Sequence, residues 1–125
     1  MFIHKQMKKS TWRSRIKKAC KAAGTYQPFF DSVIDSLAGI LETRDLAKEK
    51  FDISGGNPVI LHTNKGGNTN IVKNPALVVM LECEAQALTY WKELGLTSKS
   101  YKQMNGGIDK DNSKTLEAAL SELGI

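Results

Sequence analysis

The first thirty residues contain no aspartate or glutamate, although thirteen acidic residues follow in the rest of the chain. Lys5, Lys8, Lys9, Arg13, Arg15, Lys17, Lys18 and Lys21 therefore have no acidic neighbour in sequence, and positive charge is concentrated at one end of a chain whose net charge is only +5. Cysteine is also scarce. Cys20 and Cys83 lie far apart and outside any paired metal-type spacing, which argues against a disulfide framework and leaves them as reduced packing residues. His4 and His62 have no Cys, Asp or Glu at ligand spacing, so no metal site is expected. No apolar run approaches the roughly 20 residues that a membrane helix requires, and the N-terminal lysines are not followed by an apolar signal core. The expectation is a cytosolic protein with no membrane partner.

Catalytic signatures are missing as well. Lys65-Gly66-Gly67 lacks the spacing and the following Lys-Ser/Thr of a phosphate-binding loop. Glu42, Arg44 and Asp45 share one helical turn and Glu82 and Glu84 another, but no nucleophile accompanies them, and surface ion pairs are the simpler reading. The chain therefore reads as non-enzymatic, with no catalytic residue and no cofactor.

The basic segment has helical order. In TWRSRIKKACKAA, Thr11 to Ala23, Trp12, Ile16, Ala19 or Cys20, and Ala23 fall on one face, leaving the cations on the rest. The apolar face can dock on the body while Lys8, Lys9, Arg13, Arg15, Lys17, Lys18 and Lys21 reach phosphates, so double-stranded DNA is the expected partner. A solvated basic face is the plainer alternative. A membrane-surface helix is disfavoured, because one Trp and one Ile supply little apolar area.

After a turn at Gly24 to Gln27, Pro28 opens a second, long helix running to about Ser54. Phe30, Ile34, Leu37, Ile40 or Leu41, Ala47 and Phe51 recur at helical spacing, and Phe29, Val33, Leu46 and Ile53 widen the apolar surface beyond one stripe. A third helix starts at Asn74, an N-cap, with Pro75 at the first helical position, and stops at Gly95. Leu77, Leu81, Leu88 and Trp91 lie near one of its faces. Between the long helices, VILHT and TNIV flank an Asn/Gly-rich turn and suggest a small hairpin. The long helices carry more apolar surface than one short chain covers, which predicts a homo-oligomer built through Phe30, Val33, Leu37, Leu41, Leu81, Leu88 and Trp91. Beyond Asn105-Gly106-Gly107, Ser113 could cap a last helix carrying Leu116, Leu120 and Leu123, either docking on a partner or folding back.

The order of these motifs carries a resemblance. LAGILETRDLAKEKFDISGGNPV, then NPAL opening a helix, then ELGLTSKSYKQM, resembles the P27-type family of phage terminase small subunits over residues 26–104. The family commonly has proline after the Thr of its LGLT segment; Ser98 stands there instead, and serine can still cap the next helix. The resemblance implies a mainly α fold: a basic N-terminal helix, two long antiparallel helices joined by a small hairpin or loop, and a short C-terminal helix. It also implies a ring of about eight to ten subunits. Three functional segments are expected: residues 1–25 for DNA binding, 26–104 as the oligomerisation core, and 105–125 as a flexible docking segment. Arg44 and Asp45 match the family's RDLA segment and are expected to pair across a helix or subunit contact. By resemblance, Leu116, Leu120 and Leu123 would dock on the large terminase subunit, which carries ATPase and nuclease activities, in the cytoplasm of the host bacterium. The protein would bind viral DNA and initiate genome packaging. A dimeric helical transcriptional regulator and an assembly adaptor are the other readings; the first would normally show a complete helix-turn-helix.

Overall fold

The computed structural model describes residues 7–104 and 110–124, with only the backbone described for 110–115. The expected architecture is present. Helix α1 spans Lys9–Ala23, a 3-10 turn covers Pro28–Phe30, and α2 continues as Asp31–Ile53. Strands β1 (Val59–Thr63) and β2 (Thr69–Lys73) lead into α3 (Pro75–Glu93), the short α4 (Ser98–Met104) and α5 (Lys110–Glu122).

Local chemistry sets the boundaries. The Asn74 side chain accepts from the Ala76 N–H at 3.1 Å and caps α3, with Pro75 at a position whose N–H would have been unpaired. The same side chain donates to the Asn57 carbonyl at 2.9 Å and the Ser54 hydroxyl at 3.2 Å, so one buried amide joins the end of α2, the hairpin base and the start of α3. Gly95 ends α3 at φ 71°, where the Leu96 N–H donates back to the Trp91 carbonyl and the Gly95 N–H to that of Lys92. This paired closure satisfies two orphan carbonyls and requires the left-handed conformation glycine tolerates. Gly24 ends α1 in the same way.

The next cap falls one residue earlier than expected. Thr97, not Ser98, caps α4: its hydroxyl accepts from the Ser100 N–H at 3.3 Å, and the Ser100 hydroxyl accepts from the Thr97 N–H at 3.2 Å. Helix α5 likewise begins at Lys110, which places Ser113 inside it rather than at its cap. Asn105 to Gly107 lie outside the described residues.

The hairpin is antiparallel with Leu61 opposite Ile71 and Thr63 opposite Thr69. Its turn is fixed by Asn64, whose side-chain oxygen accepts from the N–H groups of Gly66 and Asn68 at 2.9 and 3.0 Å. Such an Asx contact needs no tertiary support.

Helices α2 and α3 form an antiparallel pair, and α1 lies along the first half of α2. One hydrophobic cluster draws on all five helices: Trp12, Ile16 and Cys20 from α1, Ile34, Leu37 and Leu41 from α2, Ala87 from α3, Tyr101 from α4, and Leu116, Ala119 and Leu123 from α5, with Leu94 and Leu96 closing it. The face of α3 turned inward is not the leucine stripe. Cys83 and Ala87 are buried, whereas Leu81 and Leu88 remain 60% and 48% exposed. Small side chains let the two long helices approach closely, and the leucines are left outside.

Candidate nucleic-acid interface

The apolar stripe expected on α1 is the one that packs: Trp12, Ile16, Ala19, Cys20 and Ala23 are all buried. That orientation sorts the cations into two rows. Lys9, Arg13 and Lys17, at successive intervals of four, turn toward α2. There the Lys9 ammonium lies 3.1 Å from Asp35 Oδ2, the Arg13 guanidinium 3.2 Å from Asp35 Oδ1, and the Lys17 ammonium 3.8 Å from Asp31. The hydrogen bond from Lys9, with the nearby charges of Lys9 and Arg13, holds the Asp35 carboxyl below its ordinary value of 3.8. The Lys9 backbone N–H, an orphan donor of the first turn, donates to Glu42 Oε2 at 2.6 Å, so α2 also caps α1.

Lys8, Arg15 and Lys18 form the other row and are exposed, with no acidic partner within ion-pair distance among the described residues. Lys21, also exposed, lies with its ammonium 5.3 Å from the Tyr26 ring centroid. Between the rows the helix presents Ser10 and Ser14, with Thr11 within the second row, all exposed. These hydroxyls keep the surface low between flanking cations. The seven cations expected to meet DNA are thus not equivalent: Lys9, Arg13 and Lys17 also tie α1 to α2, and the other four have no acidic partner among the described residues. No signal along α2 reveals this in one dimension. Asp31 and Asp35 sit four residues apart, and only the packing of α1 shows what they oppose.

Asp45 marks the centre of the joint. It is buried, accepts from Trp12 Nε1 at 2.7 Å, and pairs with the Arg44 guanidinium at 3.0 Å. Arg44 reaches Glu84 on α3 at 3.0 Å and lies 5.3 Å from the Trp12 ring centroid. The expected Arg44–Asp45 pair therefore forms within the subunit, at a three-helix junction, and is not the ordinary surface pair that helical spacing suggested. A buried carboxylate without its partners would cost several kcal/mol, so the network specifies how α1 is seated.

The other expected contact residues separate similarly. Leu37 and Leu41 are completely buried in the subunit core, so they support a surface rather than form one. Phe30, Val33 and Trp91 are partly buried at the core edge, and Leu81 and Leu88 are exposed. Leu116 and Leu123 are buried and Leu120 partly so, because α5 folds back on α1. The docking side chains inferred from resemblance are thereby engaged within their own subunit. An amphipathic helix and an uncovered apolar stripe on α1 satisfy each other at once.

Both cysteines are free and buried, and burial raises the Cys20 thiol to about 11. No group of three or more His, Cys, Asp or Glu suited to a metal occurs among the described residues. No described helix is long and apolar enough to cross a membrane.

The fold and this surface define a class: a mainly helical protein whose basic helix is held against a long antiparallel helix pair. The chain belongs to the phage terminase small subunit family, whose model matches residues 9–111. That membership supports a role in phage DNA packaging, in a family that is generally non-catalytic. Comparisons with curated proteins and with solved structures gave no match.

Proposed function

We propose that this chain is a P27-type small subunit that binds double-stranded viral DNA, assembles into a ring of about eight to ten copies, and delivers the DNA to the large terminase subunit in the host bacterial cytoplasm. The observation that carries this reading is the polarity of the surface. Exposed cations line α1, whereas exposed apolar residues are most numerous where α2, the hairpin and α3 meet, at Ile53, Val59, Leu61, Ile71 and Leu81, with Phe29 and Met104 exposed at the other end. One end suits a polyanion and the other suits another copy of the chain. Within the assembly, Leu81 and Leu88 serve as subunit contacts, as do the partly buried Phe30, Val33 and Trp91 at the core edge. Leu37, Leu41 and the Arg44–Asp45 pair hold the helices that present these side chains. Weak phosphate contacts from each α1 add across subunits, so tight DNA binding does not require a tight monomer.

The test is native mass and DNA binding on the same preparation at moderate salt. A closed assembly of about eight to ten copies, binding duplex DNA with a steep salt dependence, is expected. A stable monomer with no affinity for duplex DNA would sink the reading, and a stable dimer on a short site would favour a transcriptional regulator.

A further inference from the structure

The basic surface does not end with α1. Where α3 passes into α4, Lys92, Thr97, Lys99, Ser100 and Gln103 line a groove of about 420 Å³, with Glu93 as its one acidic lining residue and Met104 at its edge. Lys92, Lys99 and Lys102 are exposed and have no ion pair among the described residues. Helix α4 is held firmly enough to present them. The reciprocal Thr97–Ser100 cap fixes its start, and Ser100 and Tyr101 are buried, which turns Lys99, Lys102 and Gln103 outward.

Position decides the partner. Met104, at the end of α4, shares a small pocket with Gly24, Thr25, Gln27 and Phe30, in the turn that follows α1. Lys21 lies only three residues before Gly24, about 5 Å along the helix axis, and Lys102 two residues before Met104. The turn that follows the α1 cations therefore packs against the end of the helix that carries Lys99 and Lys102. Phosphates of one DNA strand recur about every 3.4 Å of helix axis, so a strand following Arg15, Lys18 and Lys21 can run on past the turn.

We infer that Lys99 and Lys102, with Lys92 in the adjoining groove, form a second phosphate-binding site for the same DNA strand, continuing the row on α1. The lysine ammonium groups, with the Gln103 amide beside them, suit phosphodiester oxygens, which need several donors and no base information. The site sets affinity and the path of the strand, not sequence preference. It rests on the proposed DNA-binding role of α1, and the experiment separates the two.

Duplex DNA binding by the full chain would be measured across a salt series for Lys99→Ala/Lys102→Ala, for Arg15→Ala/Lys18→Ala, and for Lys50→Ala/Lys65→Ala. The last pair removes the same charge near the hairpin. Circular dichroism would confirm that each variant remains folded. The expected result is a fall in the salt slope of about two per DNA-bound subunit for the first two variants, restored by Lys99→Arg/Lys102→Arg, with the hairpin variant close to the parent. A parental slope for Lys99→Ala/Lys102→Ala alongside a loss for Arg15→Ala/Lys18→Ala would overturn the second site alone. Parental slopes for both would overturn the α1 reading as well. Equal losses in all three would reduce the effect to net charge and overturn the site.

Discussion

Asp35 shows how one residue can oppose the role proposed for its neighbours. Its carboxylate accepts Lys9 and Arg13 across the α1–α2 contact, in an exposed setting where phosphate could take its place. Replacing it with asparagine should free both cations, raise affinity for duplex DNA severalfold and steepen the salt slope, a change read directly in a binding titration. Acid should reveal the same contact. Because the folded carboxyl titrates below its ordinary value of 3.8, the contact stabilises the fold fully above that pH, and the contribution is lost as pH falls through the lower folded value. Below about pH 4 the parent should therefore lose stability more steeply than Asp35→Asn in denaturant melts. Matching acid profiles together with unchanged DNA affinity would show that Asp35 does not hold these cations in solution.

At the scale of elements, two helix ends built on one motif carry different loads. Gly24 and Gly95 both sit at positive φ, 75° and 71°, and both close a helix through paired backbone hydrogen bonds. A Cβ at Gly24 would meet nothing within 4 Å, whereas one at Gly95 would overlap the Met104 sulfur and press on the Thr25 methyl at 3.0 Å. Gly24→Ala should cost about 1 kcal/mol, the strain of a left-handed alanine. Gly95→Ala adds that overlap and should cost somewhat more, about 2 kcal/mol, since the half-exposed Met104 side chain must turn away and Thr25 must give. Urea melts would separate them, and equal costs would mean that the Met104 side chain swings aside freely. This difference also marks what the sequence makes legible. Caps, turns and helical spacing are local, so Asn74, Gly95 and the inward stripe of α1 follow from residue order. Which face of α3 turns inward does not, because Ala87 and Cys83 win on closeness of approach while Leu81 and Leu88 would win on hydrophobicity alone. The burial of Asp45 and the partition of the α1 cations likewise depend on residues 14 to 33 positions away, from Asp31 for Lys17 to Asp45 for Trp12. Residue order gives no hint of those pairings. Lys99 and Lys102 were legible only in part: they stand in an acid-free run from Leu94 to Ile108, but their place beside the end of α1 is a fact of packing.

At the scale of the whole molecule, separating a basic end from an apolar end predicts that DNA binding and self-association can be lost independently. Leu61 and Ile71 face each other across the hairpin and are each 72% exposed, so replacing both with serine removes little that holds the subunit together. If this end meets another copy of the chain, Leu61→Ser/Ile71→Ser should lower the native mass while leaving the circular dichroism spectrum unchanged. DNA affinity should then fall by a factor of about 100 or more even though every cation is present, because linked weak contacts become single ones. Arg15→Ala/Lys18→Ala should do the reverse, keeping the parental mass and losing DNA through its own phosphate contacts. A hairpin variant of unchanged mass would move the subunit contact to the Leu81–Leu88 face of α3. A charge variant that also fell apart would mean that DNA contact and assembly share one surface, with Phe30, Val33, Leu88 and Trp91 then the subunit contacts rather than the hairpin.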